Sequence, residues 1–89
     1  MKAIVSVFAK DAKGITAYVS SLLAQKDINI LDISQTLMQG YFTMIMLVDL
    51  ADCSDSFEDL RLYLIEKGKE KSLDVHIQRQ DIFEAMHRI

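Results

Sequence analysis

The chain has 89 residues, 51% of them apolar and 26% charged, with ten basic against thirteen acidic side chains for a net charge of −3. That length suits a single domain over 1–89, and the apolar fraction excludes intrinsic disorder, because disordered chains lack the apolar surface that offsets ordering entropy. The acidic balance argues against a nucleic-acid partner, whose binding rests on neutralising phosphates, and no apolar run approaches the ~18–20 residues of a membrane span.

The segment from Met1 to Ser6 carries one charge and soon meets Lys10 and Asp11, too short an apolar run for a secretory signal. The single cysteine, Cys53, can neither close an internal disulfide nor supply half of a paired-cysteine zinc site. A small, soluble, cytoplasmic protein is expected.

Ala3 to Ala9 is short, β-branched and bounded by charge, which reads as a strand. After Gly14, the apolar positions Ile15, Tyr18, Val19, Leu22 and Leu23 recur at helical spacing and predict an amphipathic helix from about Gly14 to Gln25 or Lys26. From Ile28 to Met38 the period changes to two, with Leu31, Ile33 and Leu37 on one face and Asp32, Ser34 and Thr36 on the other. Gln39-Gly40 predicts a tight turn into a second long strand, Tyr41 to Leu50. Ser56, three residues before Asp59, has capping-box spacing for a helix carrying Phe57, Leu60, Leu64 and Ile65, which ends in the polar run Glu66 to Ser72. Leu73, Val75 and Ile77 alternate with Asp74, His76 and Gln78 in a last strand, and Asp81, three before Glu84, can cap a short terminal helix. The three glycines, Gly14, Gly40 and Gly68, fall between or near the ends of these segments, and there is no proline.

This order predicts an α+β, ferredoxin-like βαββαβ fold: an antiparallel four-stranded sheet of order 4-1-3-2, two helices on one face, and a short C-terminal helix. The core spans 1–80 and the terminal helix 81–89. Both faces of the two central strands are apolar: Ile4 and Phe8 oppose Val5 and Val7, and Ile45 and Leu47 oppose Met44, Met46 and Val48. Two helices cover one face only. The other needs a second copy of the chain or the terminal helix, and a homodimer or higher oligomer is the expectation.

Most site chemistries lack their residues. The first loop, Ala9 to Gly14, has neither the paired thiols of a heavy-metal carrier nor an arginine for phosphate catalysis, and the central strands lack aromatics interleaved with basic residues. No phosphate-binding glycine motif occurs. Asp49, Asp52 and Asp55 read as turn and cap residues, His76 and His87 as solvated surface, Cys53 as a capping-region thiol, and the methionines as core filling. No nucleophile–base pair is identifiable, so no enzyme, cofactor or metal is expected.

The first loop carries more. Gly14 permits a tight turn, and a helix start presents unpaired N–H groups to an anion. Asp11 beside it offers a carboxylate to a cation, and Asn29 offers a neutral amide, so together they suit a zwitterion such as an α-amino acid. The same residues also shape turns, and that alternative stays open.

The D-x-x-G-I step from Asp11 to Ile15, the helix after it, the Ile28-Asn29-Ile30 opening of the second strand and the hairpin at Gly40 together resemble the ACT domain. The chain is similar to short stand-alone ACT proteins, related to the ACT regions of glycine-cleavage repressor-type regulators and formyltetrahydrofolate deformylases. The resemblance implies an amino-acid-binding regulatory module that pairs with a second copy and acts on a separate enzyme or regulator. It implies ligand contacts at Asp11, Ala12, Lys13, Gly14 and Ile15 and at Asn29 and Ile30, often from different subunits. The chain departs from many ligand-binding members at Lys13, where they carry proline, and from some at Asp11, where they carry asparagine, and at Ala9, where they carry histidine. A protein-interaction module of the same fold, docking through a sheet edge or the terminal helix, is the alternative.

Overall fold

The computed structural model describes residues 1–10 and 13–86. The elements run β1 (Lys2–Ala9), α1 (Ile15–Gln25), β2 (Asn29–Met38), β3 (Tyr41–Asp49), α2 (Phe57–Lys69), β4 (Asp74–Arg79) and α3 (Gln80–Met86). The sheet is antiparallel with order β2-β3-β1-β4, the arrangement expected from two right-handed crossovers. This is the ferredoxin-like βαββαβ topology with a short helix added. That helix starts at Gln80, one residue before the predicted boundary. Asp81 therefore lies inside its first turn, with one carboxylate oxygen accepting from the Ile82 N–H and the other from Arg79, and does not precede it as a cap.

Local chemistry explains most element ends. Gln39 and Gly40 both have positive φ (51° and 84°), the primed turn whose twist suits a two-residue hairpin between Met38 and Tyr41. Ser56 Oγ accepts the Asp59 N–H at 3.1 Å and caps α2. Both long helices end without glycine. Asp27 (φ 57°) and Ser72 (φ 58°) take the left-handed position, and the following residues, Ile28 and Leu73, donate back to the carbonyls of Leu23 and Gly68 at 3.0 and 2.8 Å.

The core lies between the two long helices and one sheet face. Val19, Leu22 and Leu23 of α1 and Leu60 and Leu64 of α2 join Ala3, Val5, Val7, Met44, Met46, Val48, Val75 and Ile77 in one buried cluster. The opposite face carries Ile4, Phe8, Ile45 and Leu47, with Ser34, Thr36, His76 and Gln78 along its edges, as the register requires. Ile4 is buried at the end where α3 packs beside β1 and β4, whereas Phe8 and Ile45 remain 44% and 38% exposed. In β2 a bulge takes Leu31 out of register, so Ile33 and Leu37 face the helix side but lie beyond the helices and stay exposed.

Gly68 lies in the last turn of α2, one residue before its end, and is also a packing residue. A Cβ there would lie 2.7 Å from Val75 Cγ2 and 3.1 Å from the Leu73 carbonyl oxygen. The missing side chain lets α2 sit directly on β4. Gly68→Ala is expected to lower the thermal midpoint by about 5–15 °C, because overpacking of ~2–3 kcal/mol against Val75 and the backbone carbonyl of Leu73, less the ~1 kcal/mol gain in helix propensity, leaves a net cost of ~1–2 kcal/mol. An unchanged or raised midpoint in a thermal melt would show that β4 gives way at Val75.

Candidate functional site

Two grooves open at opposite ends of the sheet. Phe8, near the end of β1, pairs with Thr43 and Asp74, so the first loop, the 39–40 turn and the α2–β4 connection gather at one end. Lys2 pairs with Asp49, which pairs with Asn29, and these mark the other end.

The first groove, about 490 Å³, runs between Lys10, Lys13 and Gly14 of the first loop, Ile15 and Tyr18 of α1, and the segment Lys71 to Leu73. Gly14 is the N-cap of α1 with φ 73°, and no side chain among the described residues caps the helix. The first helical bond runs from the Tyr18 N–H to the Gly14 carbonyl at 3.1 Å, so helix geometry leaves the N–H groups of Ile15, Thr16 and Ala17 outside the ladder. A Cβ on Gly14 would meet no described atom within 4 Å, so glycine is favoured here by the backbone angle and not by lack of space. Tyr18 is held across the two helices: its hydroxyl donates to the Lys67 carbonyl at 2.8 Å. The Lys71 ammonium lies 5.6 Å from the centre of the same ring, within cation–π reach.

The second groove, about 580 Å³, is lined by Asp27, Asn29, Asp49 and Asp52, with Ile28 and Ala51. Asp49 Oδ1 accepts the Ala51 N–H at 3.0 Å, a turn-shaping role. Asp55 is engaged elsewhere, 2.9 Å from Lys26 Nζ, and its hydrogen bond holds the Lys26 ammonium above the ordinary lysine value. Lys26 also lies over the Tyr63 ring at 4.4 Å. Among the described residues, no group of three His, Cys, Asp or Glu side chains is arranged to hold a metal ion.

Of the residues singled out in the sequence, Lys13, Gly14 and Ile15 come together at the first groove. Asp11 and Ala12 lie outside the described residues, as does His87. Asn29 lines the second groove, and Ile30 packs half-buried against the core beside it. The two sets are separated by α1, whose eleven residues span ~16 Å, so one copy of the chain does not bring them together. Sequence reasoning missed Tyr18, Lys71 and Ser72 as groove residues. Tyr18 fits the apolar helix stripe, and Lys71 and Ser72 look like a solvated helix end; only the packing of α2 against α1 makes them neighbours of the first loop. His76 is exposed on the open sheet face, 2.9 Å from Asp74 Oδ1 and edge-on to the Phe8 ring. No helix among the described residues is long and apolar enough to cross a membrane.

The family profile of the ACT domain matches residues 2–78. A UPF0237 protein of Clostridium acetobutylicum is 54% identical over 89 residues, covering all of both chains. The solved ACT domain protein from Streptococcus pneumoniae is 42% identical and covers 94% of each chain, with a TM-score of 0.85. A putative glycine cleavage system transcriptional repressor shares the fold at 17% identity, over 86% of this chain and 45% of its own, with a TM-score of 0.76. The chain belongs to the ACT-domain family, among the short UPF0237 proteins.

Proposed function

We propose that the chain is a cytoplasmic regulatory module that binds an amino acid as a homodimer and acts on a separate protein. One observation carries this reading. The candidate ligand residues are split, with Lys13, Gly14 and Ile15 at one end of α1 and Asn29 at the other.

The free edge of β2 offers a way to reunite them. Its ten residues include one charge, Asp32, no lysine, arginine or proline, and the exposed apolar side chains Leu31, Ile33 and Leu37. Unguarded edges of this kind pair with another strand. Antiparallel pairing of two β2 edges about a two-fold axis would set the first-loop end of one copy beside the Asn29 end of the other. A ligand held there would contact both copies and favour the paired geometry, which is regulation by population shift. Asp11 would hold the ligand ammonium and the α1 N-terminus its carboxylate.

A thermal-shift screen of the twenty amino acids, combined with sedimentation, tests the proposal. One amino acid is expected to raise the melting temperature, since ligand at ~100 times its Kd adds about 2.7 kcal/mol. Asp11→Ala should then weaken that ligand about ten- to hundredfold, the loss of one charge-assisted hydrogen bond. If no amino acid shifts the melt, the ligand reading falls. The exposed β2 edge then favours the alternative, an interaction module that adds a partner's strand to its sheet.

A further inference from the structure

We infer that the open face of the sheet is a docking surface for one basic amphipathic helix of a separate protein. This extends the proposed function to the kind of partner and stands without an amino-acid ligand, because the surface is complete within one copy of the chain.

An apolar row follows the two central strands on this face. Ile4 pairs with Leu47 and Ser6 with Ile45, while Phe8, opposite Thr43, is the diagonal neighbour of Ile45. At the Ile4 end the row is already sealed by a helix, since α3 packs beside β1 and β4 and Ile4 is buried there. Toward the other end the row continues uncovered. Ile45 is 38% and Phe8 44% exposed, with the His76 ring edge-on to Phe8.

Size decides between a helix and a second copy as the occupant. Four strands make a face about 20 Å wide, and the six to eight paired residues of β1 make it about 20–27 Å long. With one end under α3, roughly 300 Å² remains, well short of the ~800 Å² that each partner gives to a stable interface. A helix about 10 Å wide and three to four turns long fits that strip.

Charge decides the sign of the helix. Asp32 and Asp74 stand on the two outer strands of this face and Asp49 at the end of β3. Lys2, opposite Asp49, is the one lysine or arginine that the strand register places there. Lysines or arginines on both flanks of a partner helix would therefore meet carboxylates on either side of the apolar row, a complementarity that selects and orients a partner. Partner side chains at i, i+3, i+4 and i+7 spacing would lie over Ile45 and Phe8.

The test is an NMR titration of the full chain with designed peptides of about eighteen residues, long enough to cross the face as a helix. One is an amphipathic helix of leucine, alanine and lysine; a second has glutamate for every lysine; a third scrambles the first and loses its periodicity. The basic helix is expected to give saturable shifts at the amides of Ser6, Phe8, Thr43, Ile45 and His76. Phe8→Thr and Ile45→Thr should each raise its Kd about five- to thirtyfold, and both keep a good strand former at an exposed position. Asp32→Asn with Asp74→Asn should raise it about two- to fivefold and flatten its salt dependence. Leu62→Thr, at a 50% exposed position on α2, should leave it unchanged. Absence of saturable shifts, or equal binding of the acidic or the scrambled peptide, overturns the inference. Shifts confined to β2 overturn it too, by assigning strand addition at the sheet edge. If Phe8→Thr or Ile45→Thr lowers the sedimenting mass of the free protein, a second copy covers the face and the inference falls. Failure of the amino-acid screen with the basic helix still binding would remove the amino-acid reading and leave this surface standing.

Discussion

Ile33→Lys combined with Leu37→Lys is expected to yield a folded monomer that no longer responds to an amino acid. Both side chains are already exposed, 38% and 63%, so the isolated fold loses little when they become polar. In a pair of β2 edges, however, each would be buried, and burying such a side chain contributes ~1.5–3 kcal/mol. Two-fold symmetry repeats both changes, and lysine on an edge strand also opposes pairing by charge. The dissociation constant should rise by at least about a thousandfold. Sedimentation reads the oligomer and circular dichroism the fold. A dimer that survives the double substitution would exclude the β2 edge as the interface.

Val5→Glu and Ile45→Glu should have opposite consequences, although both residues occupy neighbouring central strands. Val5 is fully buried on the helix side, opposite Met46, in a core with no buried polar side chain among the described residues. A carboxylate there has no described partner, and the cost of at least ~5 kcal/mol is comparable to the whole stability of a small domain. The variant should fail to fold, visible as loss of a cooperative melt. Ile45 pairs with Ser6 on the open face and is 38% exposed, so Ile45→Glu should shift stability by under ~1 kcal/mol and leave the oligomer intact. If Ile45→Glu keeps the fold but dissociates the protein, copies meet face to face through the open sheet and the β2-edge geometry is wrong. The two strands thus separate a core residue from a candidate interface residue, which their similar apolar character does not do by itself.

The amino-acid sequence on its own determined the order of the elements, their approximate extents and the division of each strand into two faces. It did so because these features rest on local periodicity and capping: the stripe Ile15, Val19, Leu22 and Leu23, the alternation around Val5, Met44 and Val75, the Gln39-Gly40 turn and the Ser56 cap are all read within a few residues. It also singled out Gly14, whose positive φ is a local backbone demand. What only the tertiary structure decided depends on residues far apart in the chain. Gly68 became a packing residue because β4 runs against α2, and the Leu31 bulge followed from pairing with β3. The left-handed turns after the two long helices, at Asp27 and Ser72, carried no glycine to announce them. The site divided in the same way: the first loop was visible as a motif, but its joining to Tyr18 and Lys71 arises from the packing of α1 beside α2. Its separation from Asn29 follows from α1 running the length of the sheet, a distance that sequence adjacency to the same helix conceals.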